Sequence, residues 1–194
     1  MKAVLIISGV LLAIFVISQI YFMSAQKDIE SYPYDVVKAY DKFEVRSYES
    51  SLFTSVKLQT GSYEQASGQG FSALAGYIFG GNDKNEKIAM TSPVTMSLED
   101  SMTVMFMVPK QYDKDKLPKP NLSSVQFREE PARKMAVISF GGWANSEKIA
   151  EYRKELTAAL DTEGITHTDN FFFFGYNPPY ELINRKNEVA VELK

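Results

Sequence analysis

The feature that most constrains this chain is a local pattern that occurs twice. Two strand-like runs, one helix and two more strand-like runs fall near 34–50, 52–60, 62–79, 94–98 and 102–108. The same succession returns near 124–129, 134–140, 146–163, 171–176 and 188–193. Residues 110–121, rich in Pro, Lys and Asp, link the halves. The repetition predicts a duplicated ββαββ unit. The implied class is α+β: a distorted antiparallel β-barrel of about eight strands with two flanking helices.

Each element has a local cause. Ser62-x-x-Gln65 opens the first helix as a capping box, and Gly80-Gly81 supply a left-handed stop. Phe71, Leu74 and Ile78 fall three or four apart, on one stripe. Gly68, Gly70 and Gly76 weaken this helix. They indicate either tight packing on the sheet or something approaching its backbone closely. The second helix places Ile149, Tyr152, Leu156 and Leu160 on one face and stops at Gly164. In the strands, Val104, Phe106 and Val108 alternate with Met105 and Met107, so both faces are apolar. The run 171–174 is four phenylalanines, which a strand divides two to each side.

The stretch 3–23 holds no charge, and as a helix its 21 residues reach across a hydrocarbon core of about 30 Å. A cleaved signal peptide is the rival reading. Its apolar region is shorter, and Met23 stands where a small residue is wanted before Ala25. The expectation is one N-terminal transmembrane helix, with an anchor over 1–26 and a folded domain over 27–194. The free amine and Lys2 face Lys27, which Asp28 and Glu30 follow. That places the domain on the non-cytoplasmic side, periplasmic or extracellular.

Composition narrows the function. There is no cysteine, so disulfides, thiolate metal sites and a Cys-ligated haem are excluded. Acidic residues outnumber basic ones, 24 to 21, without a basic face, which argues against nucleic acid. The single histidine, His167, is expected in an exposed loop. No Gly-x-Ser-x-Gly elbow, paired metal-ligand spacing or phosphate loop accompanies it. Enzymatic turnover is not expected; a lipid hydrolase would have to recruit His167.

The stretch 87–94, Lys-Ile-Ala-Met-Thr-Ser-Pro-Val, follows Gly80-Gly81-Asn82-Asp83. Pro93 marks an edge or turn, and Met90 is an adaptable apolar side chain suited to a ligand cleft. Together with Tyr34-Asp35-Val36-Val37, 43–48, Phe140-Gly141-Gly142, 176–179 and Arg185 followed by 187–189, these motifs resemble the SOUL haem-binding family over about residues 33–194.

The resemblance implies a non-covalent haem or porphyrin ligand in a hydrophobic groove beside the first helix of the domain. Mapped here, the groove presents Phe71, Leu74, Ala75 and Ile78, with Met90 nearby; the plainer reading of Leu74 and Ile78 is core. Lys87 and Arg185 are candidates to pair with propionates, or else are solvated surface. Some members ligate iron through a histidine in the early strands, and this chain has none there. The function expected is a membrane-anchored tetrapyrrole-binding protein, attached through 3–23, that sequesters or carries its ligand without turnover. The alternative is a non-haem ligand-sensing or protein-interaction module tethered at the cell envelope.

Overall fold

The computed structural model describes residues 2–25, 29–99 and 101–194, with side chains of the first helix described for 7–19. The order is α1 (Lys2–Ala25), β1 (Tyr34–Ala39), β2 (Glu44–Tyr48), β3 (Ser51–Lys57), α2 (Tyr63–Ile78), β4 (Val94–Ser97) and β5 (Thr103–Met107). After a 3-10 turn at Lys114–Lys116 come β6 (Gln126–Glu130), β7 (Arg133–Gly141), α3 (Ser146–Thr162), β8 (His167–Gly175) and β9 (Lys186–Leu193).

The strands form one antiparallel sheet in the order β1-β2-β7-β9-β8-β4-β5-β3-β6. Exchanging β2–β5 with β6–β9 reverses this order onto itself, leaving β1 as an addition. The seam is the β4–β8 pair, where Thr95 stands opposite Phe174. The expected eight-stranded barrel is corrected. There are nine strands, and β1 and β6 end the order without meeting, so the sheet is a curled half-barrel. The ninth strand arises because the run 34–50 folds back on itself. Tyr40 N–H donates to Phe43 O at 2.8 Å, and the two rings stack at 4.4 Å.

The expected transmembrane helix is also corrected, and with it the single-pass anchor over 3–23 and the non-cytoplasmic placement. Among the described residues no helix is long and apolar enough to cross a membrane. The described side chains of α1 are exposed from Ile7 to Ile17. At their end Gln19 is buried, taking a bond from Leu182 N–H at 3.1 Å and donating to Tyr180 O at 3.4 Å. The boundary expected between 26 and 27 lies outside the described residues.

Both faces of the inner strands β5 and β8 carry buried side chains, as the strand alternation requires. Phe171, Phe173, Val104 and Phe106 join the cluster that α2 and α3 cover. Phe172, Phe174, Met105 and Met107 join a second cluster on the opposite face, which contains no residue of α2 or α3. Ser62 caps α2, its side chain accepting from Gln65 N–H at 3.5 Å. Gln65 does not complete the box: its Oε1 accepts from Thr60 Oγ1 instead.

Candidate functional site

Helix α2 carries three adjacent rows of side chains, each spaced by four residues. Leu74 and Ile78 point inward and are 0% and 4% exposed. They are core rather than groove surface. Phe71 and Ala75 form the next row, both half-buried against the core, with Phe71 edge-on to Phe106 at 5.4 Å. The row continues to Phe79, the C-cap residue, which is 60% exposed. The outermost row is Gly68, Ser72 and Gly76, all exposed. A Cβ on Gly68 or Gly76 would meet nothing within 4 Å, so the backbone there is open to close approach. Gly70 differs: its Cβ would lie 2.4 Å from Val104 Cγ2, so that glycine serves helix–sheet packing.

The segment after α2 is folded back onto the helix end. Asn82, 1% exposed, donates to Tyr77 O and Glu86 O, and its Oδ1 accepts from Lys84 and Glu86 N–H. Ile88 N–H donates to Ile78 O at 2.9 Å, and Phe79 bridges Lys87. These bonds bring exposed Lys87 beside Phe79, and Met90, three residues on, is half-buried against the core. Among the described residues no carboxylate forms an ion pair with Lys87.

Arg185 lies at the other end of α2. Burial lowers its pKa, while Tyr63, the first residue of the helix, lies within reach of its charge. Its guanidinium donates to the carbonyls of Asn177, Pro178 and Glu181 and lies 4.0 Å above the Trp143 ring. Arg185 therefore clamps the loop before β9. About 24 Å of helix separates it from the Lys87 end, so the two cations do not converge. Near Tyr63 an open cleft of about 240 Å³ lies between the N-termini of α2 and α3, walled by Leu98, Met102, Ile149 and Arg153.

Glu64 joins those two N-termini. Its carboxylate accepts from Ser146 Oγ at 2.6 Å, from Ser146 N–H at 2.8 Å and from Ser62 Oγ at 2.9 Å. These bonds, led by the Ser146 hydroxyl, hold its pKa down at about 2.

Two features escape a reading by residue type. Phe79 is absent from the expected groove, yet it stands eight residues after Phe71 on the same row. Glu188, 0% exposed, receives two bonds from Arg46, at 3.0 and 3.1 Å, and others from Tyr176 and Ser139, with Lys186 paired beside it. Burial pushes this carboxyl up, but Arg46 and its companions outweigh burial and hold it below the usual range. His167 opens β8 rather than lying in a loop, half-buried against Phe171 with Nδ1 2.6 Å from Thr168 O. Among the described residues no cluster of His, Asp or Glu is arranged to hold a metal ion.

Comparison with known proteins agrees with this architecture. The C-terminal domain of EcmrR superposes with a TM-score of 0.62 at 10% identity, covering 79% of this chain and 97% of that one. A hydrolase from Listeria innocua superposes at 0.56, also at 10% identity, over 81% and 94%. At such identity the likeness is one of fold. In sequence, the chain is 30% identical to heme-binding protein 2 of Mus musculus over 166 residues, 81% of this chain and 80% of that protein. It is 29% identical to heme-binding protein 1 of Xenopus laevis over 155 residues, 76% and 81%. The family model described as SOUL heme-binding protein matches residues 29–192. With its motifs, its fold and these relatives in agreement, the chain belongs to the SOUL haem-binding protein family.

Proposed function

We propose that this protein binds a tetrapyrrole, haem or porphyrin, non-covalently along the outer side of α2, and that it sequesters or carries the ligand without turnover. The observation that carries the reading is the pairing of two rows on one helix. Phe71, Ala75 and Phe79 supply apolar contact, and Gly68, Ser72 and Gly76 leave a low track beside them. A flat macrocycle needs such a surface, and the half-buried Met90 extends it. Lys87, paired with Phe79 at that end of the helix, would meet a propionate. Arg185, committed to backbone carbonyls, is given no propionate.

Chemistry on this reading consists of binding and orientation by apolar contact and one cation. The relatives are named for haem binding. The test is a visible absorption titration of the full chain with haemin and with iron-free protoporphyrin. Both ligands should give a saturable shift, weakened about tenfold when Phe71 and Met90 are both replaced by Ala, the loss expected for two aliphatic or aromatic contacts. Spectra that excess porphyrin leaves unchanged would end the reading.

A further inference from the structure

The sheet face opposite α2 and α3 is covered by a strap of the chain itself. Residues 29–33 cross it, and Tyr32 inserts its ring, 4% exposed, between Tyr48 at 4.7 Å and Phe53 at 5.1 Å. Met105 and Phe174 belong to the same apolar cluster, with Phe174 5.8 Å from the Tyr48 ring. Among the described residues four hydrogen bonds tie the strap to its neighbours. Tyr32 N–H donates to Ser92 O and Ser92 N–H to Glu30 O, both at 2.9 Å. Lys110 N–H donates to the Glu30 carboxylate at 2.9 Å, and Glu49 N–H to Pro33 O at 3.1 Å. None of these bonds belongs to the strand ladder of the sheet, so the strap can lift without breaking the sheet below it.

The floor of this basin holds an anomaly. Thr95 stands between Met105 and Phe174 in register, and it is 3% exposed. Its Oγ1 has no hydrogen-bond partner. Buried hydroxyls are normally satisfied, and one that is not asks for an explanation. Tyr32 fills the basin with a phenol ring but leaves this hydroxyl alone.

We propose that the basin is a second binding site, for a small planar aromatic compound bearing a hydroxyl group, and that the strap is its lid. The ligand ring takes the place of Tyr32 between Tyr48 and Phe53, and its hydroxyl reaches Thr95 Oγ1. The strap competes for the same seat, so affinity in the intact protein is reduced by the fraction of time the lid is open. The proposal is independent of the tetrapyrrole reading, which concerns the other face of the sheet.

The probe is 1-naphthol, with naphthalene as the control lacking the hydroxyl, titrated into the full chain by calorimetry. Tyr32→Ala should bind 1-naphthol about tenfold more tightly than the natural chain, because the competitor for the seat is gone. Adding Thr95→Val to that background should weaken 1-naphthol about tenfold and leave naphthalene unchanged, because only the former needs the hydroxyl. Glu30→Ala releases the strap without touching the basin; it should tighten 1-naphthol several-fold and covers the case in which Tyr32→Ala fails to fold. In the natural chain, saturating 1-naphthol should speed hydrogen exchange at the Ser92 and Lys110 amides. The proposal is overturned if neither strap variant binds more tightly, if Thr95→Val affects both probes alike, or if those two amides are indifferent to the ligand.

Discussion

Helices α2 and α3 occupy equivalent places under the exchange that maps the sheet order onto itself, yet their outer surfaces are opposites. Each begins at a side-chain cap, Ser62 or Asn145, and each buries leucine completely: Leu74 in α2, Leu156 and Leu160 in α3. Outward, α3 presents Glu147, Glu151, Arg153 and Lys154, long charged side chains that keep water close. At the corresponding surface α2 presents Gly68, Ser72 and Gly76. The inner face of such a helix is fixed by the sheet it covers. The outer face is free, and in α2 one row of it is reduced to Gly68, Ser72 and Gly76 beside half-buried Phe71 and exposed Phe79. That contrast is why the binding reading attaches to α2.

The largest test of the contrast is in the cores. Leu74→Ala and Leu156→Ala should each cost about 3 kcal/mol in urea unfolding, since both side chains are fully buried. Porphyrin titration should separate them. Leu74 belongs to the core on which the Phe71–Ala75 row packs, so its loss should weaken porphyrin, whereas Leu156→Ala should leave the titration unchanged at a temperature where the variant is folded. Equal effects of both would break the assignment to α2.

Gly70→Ala comes next. Its new Cβ would sit 2.4 Å from Val104 Cγ2 and 2.6 Å from Val104 Cβ, a β-branched side chain with little room to yield. The clash outweighs the gain in helix propensity, and a net loss of about 1–2 kcal/mol is expected from the midpoint of chemical unfolding.

These positions also show what was legible in the sequence. Helix limits were, because caps and glycine stops are local, and so was the division of the four phenylalanines in 171–174, because strand alternation is local. The count of strands was not: 34–50 reads as one run until Tyr40 and Phe43 close their hairpin. Buried Glu188 reads as a surface charge. Its partner Arg46 lies 142 residues away, on a strand separated from it by β7, so only the sheet order brings them together. The groove was half legible. Spacing found the stripe but merged its inward row, Leu74 and Ile78, with its outer row, because a helix turns only 40° between residues four apart and 60° between residues three apart (about 100° each). Arg185 has the right residue type for a propionate, but sequence does not reveal that three carbonyls already hold it.

A smaller effect tests how the two helices are tied together. Glu64→Gln should lower stability by about 0.5–1 kcal/mol, a value kept small because the carboxylate is exposed and screened. The pH dependence has a definite sign. The folded pKa of about 2 lies below the usual 4.5, so the contribution is complete above pH 4.5 and is lost as pH falls from there towards 2. In Glu64→Gln that part of the acid sensitivity should disappear from thermal melts taken across this window. A variant as acid-sensitive as the natural chain would show that the contacts with Ser146 contribute nothing.

Gly76→Ala gives the smallest shift and the sharpest separation of stability from binding. The position is exposed, and a Cβ there meets nothing within 4 Å, so alanine should stabilise the helix by about 0.5 kcal/mol, below the full propensity difference because the site lies in the last turn. The same methyl group stands on the track that the macrocycle is proposed to cover. Tm should therefore rise slightly while porphyrin affinity falls several-fold, and the matching change on α3, Glu151→Ala, should leave porphyrin binding where it was. A glycine kept for folding would show a fall in stability on replacement, as Gly70 should. If Gly76→Ala raises Tm and leaves porphyrin affinity untouched, the bare row of α2 has no part in binding, and the contrast between the two helices loses its functional meaning.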